Sequence, residues 1–373
     1  MGFEERTNMD GRRELARLVL SGAMSMKKAC EKLGVSRPTG YRWLHRAEAM
    51  GIEEMEELAR RPHHIACATP AEVVAEILVL KAEWPVWGAK KLLADRWPPH
   101  KGMVAPICVR TADRILERHG LVHKRQKGPA KVQSFEKREC NEMLQMDFKG
   151  MGRKPHPYLP FTLLDDHSRY CLAFEPLADE GWEGVWATLW GVFGESGLPE
   201  SILSDNGSCF HSVRSRGPSH LEARLWLLGV RTIHGRRRHP QTQGKAERLH
   251  RTMNEETPVP LRQMTLAEAR RVLPPLVRLY NWRRPHEALG MRVPGEVYTP
   301  SPRQRPQRLP SHELPESAIK RKVDAAGQIS YRGRTYRAGK GLVREHVEIR
   351  EDERGEGMYF AGVRIASLPA LEV

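Results

Sequence analysis

Three acidic residues, far apart in a chain of 373, stand where carboxylates can do chemistry. Asp147 lies in the strand-like run Leu144-Gln145-Met146-Asp147-Phe148. Its alternation puts Gln145 and Asp147 on one face and Leu144, Met146 and Phe148 on the other. Asp205 follows a second short run, in Leu203-Ser204-Asp205-Asn206-Gly207, and Glu247 stands near the start of a helical stretch, in Thr242-Gln243-Gly244-Lys245-Ala246-Glu247-Arg248. Two adjacent strand ends and a crossing helix can bring such groups to one place. Three unpaired carboxylates there repel one another unless cations are present. Hard oxygen ligands suit magnesium, and two divalent ions roughly 3.5–4 Å apart activate an attacking oxygen and stabilise a leaving one. The chemistry this spacing permits is metal-assisted work on a phosphodiester.

The surroundings suit a polyanion. Arg236, Arg237, Arg238, His239, Lys245, Arg248 and Arg251 crowd around Glu247. They read as a phosphate clamp; the alternative is pairing within the helix to Glu247, Glu255 and Glu256. Over the whole chain Lys and Arg number 61 against 46 acidic residues, a formal charge of +15. Each neutralised phosphate releases condensed counterions, so this excess favours nucleic acid, with a ribosome-associated or merely adhesive basic protein as the bland alternative. Asn206 and Gly207 shape the turn that presents Asp205, glycine allowing close backbone approach.

The elements that must carry these residues are legible in outline. At roughly 100–200 residues per domain the length predicts two to four domains. Residues 1–60 read as three short helices with a tight glycine turn at Gly34, the helix-turn-helix pattern. The third opens at Ser36, with Pro38 in its first turn, and its exposed side is expected to carry Arg37, Thr39, Arg42, Trp43 and Arg46 toward DNA. Residues 61–138 read as a second helix-turn-helix or winged-helix-like module followed by a basic connector. From 139 to 298 strands come first, then helix and strand alternate, which describes a mixed α/β sheet. The stripe of Trp182, Val185, Trp186, Leu189, Trp190 and Phe193 reads as a helix packed on that sheet rather than a base-stacking platform. Residues 299–318, with five prolines, predict an extended linker, and short strand runs in 319–373 predict a small β-barrel.

Other classes are disfavoured. Six scattered cysteines with no CxxC pair argue against a zinc finger and fit reduced thiols in a cytosolic protein. The charged first ten residues lack an apolar signal region, and no run of about 18 apolar residues exists to cross a membrane. The expected location is the bacterial cytoplasm, at the nucleoid.

The words around the carboxylates carry a resemblance. Ser204-Asp205-Asn206-Gly207 and His239-Pro240-Gln241-Thr242-Gln243-Gly244-Lys245-Ala246-Glu247-Arg248 closely resemble the Asp-Asp-Glu transposases of bacterial insertion sequences. Leu164-Asp165-Asp166-His167-Ser168-Arg169-Tyr170 looks like that family's second-strand segment, and Tyr280-Asn281-Trp282-Arg283-Arg284-Pro285-His286 like its post-catalytic helix. The resemblance implies a multidomain α/β protein with a ribonuclease-H-like core, N-terminal helix-turn-helix modules and a small C-terminal β domain. It implies metal binding and catalysis by Asp147, Asp205 and Glu247, with two Mg2+ or Mn2+ ions, and leaves Asp165 and Asp166 as rival carboxylates. It implies double-stranded DNA partners, both transposon ends and target, and at least a dimer to hold two ends. The expected reaction is hydrolysis at the terminal inverted repeats followed by joining of the 3′-OH to target DNA. Two departures stand out. Asn254 occupies a position where relatives often carry a basic residue, and the gap from Asp205 to Glu247 is longer than usual. A regulator with an inactive core and a ribonuclease-H-type nuclease are the rival functions.

Overall fold

The structure is a computed structural model that describes residues 8–53, 55, 68–122, 136–151, 156–205, 217–235 and 244–368. The chain divides into two compact units, Met1–Ala68 and Thr69–Val373.

The first unit holds three helices, α1 (Asn8–Leu20), α2 (Met26–Leu33) and α3 (Arg37–Met50). Gly34, at φ 66°, ends α2 in the left-handed conformation that glycine adopts without strain. The Ser36 hydroxyl caps α3 by accepting from the Thr39 amide at 3.4 Å, with Pro38 in the first turn. A Cβ on Gly40 would sit 2.5 Å from Cys30 Sγ, so α2 and α3 meet at the one position without a side chain. Leu15, Met26, Cys30 and Leu44 fill one side of this bundle, and Ala16, Trp43, Ala47 and Met55 fill the other.

The second unit begins with α4 (Ala71–Glu83), α5 (Ala89–Arg96) and α6 (Val109–Arg118), packed through Ile77, Trp87, Leu92 and Ile115. A five-stranded mixed sheet follows, made of β1 (Leu144–Phe148), β2 (Leu159–Asp165), β3 (Cys171–Leu177), then α7 (Trp182–Ser196) and β4 (Ser201–Ser204), then α8 (His220–Leu227) and β5 (Arg231–His234). The strand order is β3-β2-β1-β4-β5. The β1–β2 and β2–β3 pairs are antiparallel, whereas β1–β4 and β4–β5 are parallel. Alternation along the strands divides two cores. Leu144, Met146, Phe161 and Leu163 face α7 and α8, burying Val185, Leu189 and Phe193 of the aromatic stripe. Leu164 and Phe174 face α9 (Gly244–Glu256) and α10 (Leu266–Trp282). A short helix, α11 (Pro294–Val297), closes this region. The fold is thus the integrase-like, ribonuclease-H type of mixed sheet with helices before it.

Residues 299–318 contain no helix or strand, yet they are docked rather than free. Leu198 N donates to Arg303 O at 2.7 Å, the Ser301 hydroxyl to Leu198 O at 2.6 Å, and the Arg305 guanidinium lies over Trp190.

The C-terminal strands correct the barrel expectation. Strands β6 (Ile319–Lys322), β7 (Gln328–Tyr331), β8 (Arg334–Arg337), β9 (His346–Asp352), β10 (Gly355–Phe360) and β11 (Val363–Ser367) form two antiparallel sheets. One is four-stranded, in the order β11-β10-β9-β6, and the other is the hairpin β7-β8. Their apolar residues share one cluster with Ala223, Trp226 and Leu227 of α8. Burial is achieved against a helix of the core, so it does not need a hydrogen-bonded ring of strands.

Candidate active site

Strand β1 places the first carboxylate. Asp147 pairs with Thr162 of β2, and Gln145 pairs in parallel with Leu203 of β4. Carrying that register two residues further sets Asp147 beside Asp205, the first residue past β4. Helix α9 crosses the same face of β1. Its His250 Nε2 is 2.7 Å from the Thr162 hydroxyl, on the residue opposite Asp147. Glu247 lies three residues before His250 and therefore one turn away on the neighbouring side of α9.

The electrostatics report the same convergence. The Asp147 carboxyl is pushed up to about 7, first by burial, then by the negative charge of Asp205, with Glu247 adding a smaller push and the Phe148 amide opposing. Asp147 thus feels the charge of two carboxylates brought to it from the end of β4 and from α9. The three are not drawn into a ligand cluster: no group of three His, Cys, Asp or Glu residues is placed to hold one metal ion among the described residues. Charge coupling reaches further than a coordination bond, so the two observations describe carboxylates that are close but not gathered.

The rival acids have other occupations. Asp165 is fully buried and accepts from the amides of Asn141 and Ser168 and from the Ser168 hydroxyl. Asp166, equally buried, accepts from Gln145 Nε2 at 2.7 Å, from the Lys137 amide at 2.8 Å and from Lys245 Nζ at 2.6 Å. Lys245, expected to face DNA, is instead turned inward. Burial outweighs the pull of Asp166 and holds its ammonium below the usual lysine range. Arg248 and Arg251 are exposed on α9 together with Glu247 and Asn254, a face open to a polyanion. Glu256, a supposed partner for them, is taken by Arg284 and by Trp87 Nε1 at 2.9 Å. Arg236, Arg237, Arg238 and His239 lie outside the described residues, as do Asn206 and Gly207.

Two polar contacts had no part in the sequence reading. The first is Thr162–His250, whose imidazole is lowered to about 4 by burial and by the charge of Lys149. Its signals were a lone threonine in an apolar strand and a histidine one turn beyond Glu247. The second is a chain behind Asp205: the Ser204 hydroxyl lies 3.3 Å from His234 Nδ1, and His234 Nε2 lies 2.8 Å from Glu222.

In the first unit, Arg37 and Arg42 of α3 are exposed and Thr39 is half-buried. Trp43 corrects the expectation of an outward face, being 7 % exposed within the bundle. Arg12 and Arg46 stack on its ring, with guanidinium carbons 4.1 and 5.2 Å from the centroid.

Three family models match separate stretches of the chain. They are a helix-turn-helix domain over residues 12–63, an integrase core domain over 228–294 and an IS481 family transposase C-terminal domain over 319–368. In these stretches the chain is similar to insertion-sequence transposases and integrases. The integrase-core match spans α9 and Glu247, and the transposase-specific match coincides with the C-terminal sheets. Together the matches support a DNA transposase or integrase role for the chain. Among solved structures, the chain is similar to the HTLV-2 integrase catalytic core domain in complex with magnesium, at 14 % identity and TM-score 0.33 over 43 % of this chain and 99 % of that one. It is similar to the BIV integrase catalytic core at 21 % identity and TM-score 0.31, covering 42 % and 93 % respectively. It is also similar to a simian T-cell lymphotropic virus intasome in complex with PP2A regulatory subunit B56 gamma, at 14 % identity and TM-score 0.37, covering 71 % and 92 %.

Proposed function

We propose that this chain is a transposase that cuts DNA at the ends of its element and joins the exposed 3′-OH to target DNA, using Asp147, Asp205 and Glu247 as its catalytic carboxylates. The observation that carries the reading is geometric: the strand register sets Asp205 beside Asp147, and α9, which bears Glu247, crosses the same face, in keeping with the upward push these charges give the Asp147 carboxyl.

The donor set fits a divalent cation. All three are oxygen donors, and Asp147, under the negative charge of Asp205 and Glu247, is driven to hold a proton near neutral pH, a cost that a bound cation would relieve. Asp147, Asp205 and Glu247 would hold two Mg2+ or Mn2+ ions. Bound there, the ions supply Lewis-acid activation of a phosphodiester and neutralise charge as the leaving oxygen departs. The chain's own part is to place and orient. Arg248 and Arg251, on the exposed face of α9, bind backbone phosphates beside the carboxylates. Arg37 and Arg42 on α3 bind the element's terminal repeats. Water is the first nucleophile and the new 3′-OH the second, so no serine or tyrosine takes part covalently. Two ends handled together require at least two copies of the chain.

Asp205→Asn tests the reading. Gel-shift binding of end DNA is expected to persist while Mg2+- or Mn2+-dependent cleavage and strand transfer fall to background. Retained cutting removes Asp205 from the site.

A further inference from the structure

The catalytic carboxylates stand on separate elements, and nothing in their own chemistry holds those elements in register. A buried network behind them does. Asp166 sits in the turn that follows β2 and is fully buried. Its Oδ1 accepts from Gln145 Nε2 at 2.7 Å, and its Oδ2 accepts from Lys245 Nζ at 2.6 Å and from the Lys137 amide at 2.8 Å. Its backbone joins the same knot: Asp166 N donates to Met143 O at 3.1 Å, and Asp166 O accepts from Lys245 Nζ at 3.1 Å.

Each arm ends beside a catalytic residue. Gln145 lies on the same face of β1 as Asp147, two residues away, or about 7 Å along a strand. Lys245 lies in the first turn of α9, two residues before Glu247, or about 3 Å of helix rise. We propose that Asp166 is a positioning residue, whose one carboxylate, shared by Gln145 and Lys245, sets the strand bearing Asp147 against the helix bearing Glu247. The inference rests on the active-site reading above and deepens it. Both Asp166 oxygens accept from protein donors and the side chain is fully buried, which disfavours it as a metal ligand. The inward, bonded Lys245 is likewise a strut rather than a phosphate grip. Outer contacts that orient metal-binding groups have large effects on metal affinity and rate without touching substrate.

The test uses the full chain and three variants, Lys245→Met, Lys245→Arg and Asp166→Asn, read by Mn2+ titration calorimetry, end-DNA affinity and single-turnover cleavage at saturating DNA. Lys245→Met is expected to weaken Mn2+ binding and to slow cleavage, each by about tenfold or more, with DNA affinity nearly unchanged. Lys245→Arg keeps a cation within reach of Asp166 and is expected to restore most of both. Hydrogen exchange gives a readout independent of activity. In Asp166→Asn the amides of the first turn of α9 are expected to exchange faster, while those of α10 do not. Unaltered Mn2+ affinity and rate in Lys245→Met overturn the proposal, as does unaltered exchange in Asp166→Asn. A loss confined to DNA affinity overturns it too, making Lys245 a phosphate ligand. Failure of the underlying site looks different: Asp205→Asn would still cut, whereas here Asp205→Asn is inactive in every outcome.

Discussion

At the scale of single residues, the site shows a conflict between stability and chemistry. A carboxyl raised to about 7 is a group that the folded chain protonates more readily than the unfolded chain does. The unfolded state releases that proton near pH 4 and the folded state near 7, so Asp147 lowers stability as pH rises through that window. In metal-free buffer at pH 8, Asp147→Asn is therefore expected to be more stable than the parent by on the order of 1–3 kcal/mol, and to unfold at a higher temperature. The same variant is expected to lose DNA cleavage. Added Mn2+ should raise the melting temperature of the parent and leave that of the variant nearly unmoved. A variant less stable than the parent at pH 8 without metal would contradict the reading. The places of the three carboxylates, near the end of β1, just past β4 and in the first turn of α9, were legible in sequence, because strand ends and helix starts are local features. The roles of Lys245 and Asp166 were not, since the bond between them joins residues far apart in the chain. Trp43 is a different case. Gly40, Trp43, Leu44 and Ala47 are the buried residues of α3, and their helical period was already visible in the sequence.

At the scale of elements, the packing of α9 on the sheet carries a pH dependence of the opposite kind. His250 is 7 % exposed, bonded to Thr162 and lowered to about 4. Its unfolded counterpart takes up a proton near pH 6.5, so between pH 6.5 and 4 the unfolded state binds more protons and stability falls with acid. By pH 5 the cost is about 2 kcal/mol from this group alone. His286, lowered by burial to about 3, acts in the same direction. Between pH 7.5 and pH 5 the folded chain gains stability from Asp147 and loses it from His250 and His286. His250→Gln, which stays neutral, is therefore expected to lose about 2 kcal/mol less than the parent over that interval in thermal unfolding. The same change as in the parent would mean that His250 is not held neutral against the sheet. Element boundaries were read well wherever caps were present, as with Ser36 and Gly34 around the α2–α3 turn. Helix α10 was harder, because Pro274 and Pro275 lie inside it, and proline signals a break unless tertiary packing overrides it. Here Ala269, Leu273, Leu276 and Tyr280 are buried on one stripe against β2 and β3. The closure of the C-terminal strands was not legible at all, because alternation gives the faces of a strand but not its neighbours.

At the scale of the whole molecule, the proposed chemistry and one of the proposed DNA grips fall in different compact units. Asp147, Asp205 and Glu247 all lie in Thr69–Val373, which has its own cores on both faces of the sheet, whereas Arg37 and Arg42 lie in Met1–Ala68. Specificity for a DNA end comes from base-edge contacts, while phosphate contacts supply affinity that does not depend on sequence. Removing residues 1–68 is thus expected to separate the two. The shortened chain should still nick DNA with Mn2+, because the carboxylates and the basic face of α9 remain. Its preference for end DNA over unrelated DNA, measured by competition at fixed salt, should fall by about tenfold or more. The second helical module, α4 to α6, stays on the shortened chain, so some preference should survive, and the size of the remainder measures that module's share. A preference equal to that of the full chain would assign end recognition entirely to the second unit and leave α3 as a non-specific grip. Loss of nicking together with preference, in a chain that still melts cooperatively, would show that catalysis needs the first unit.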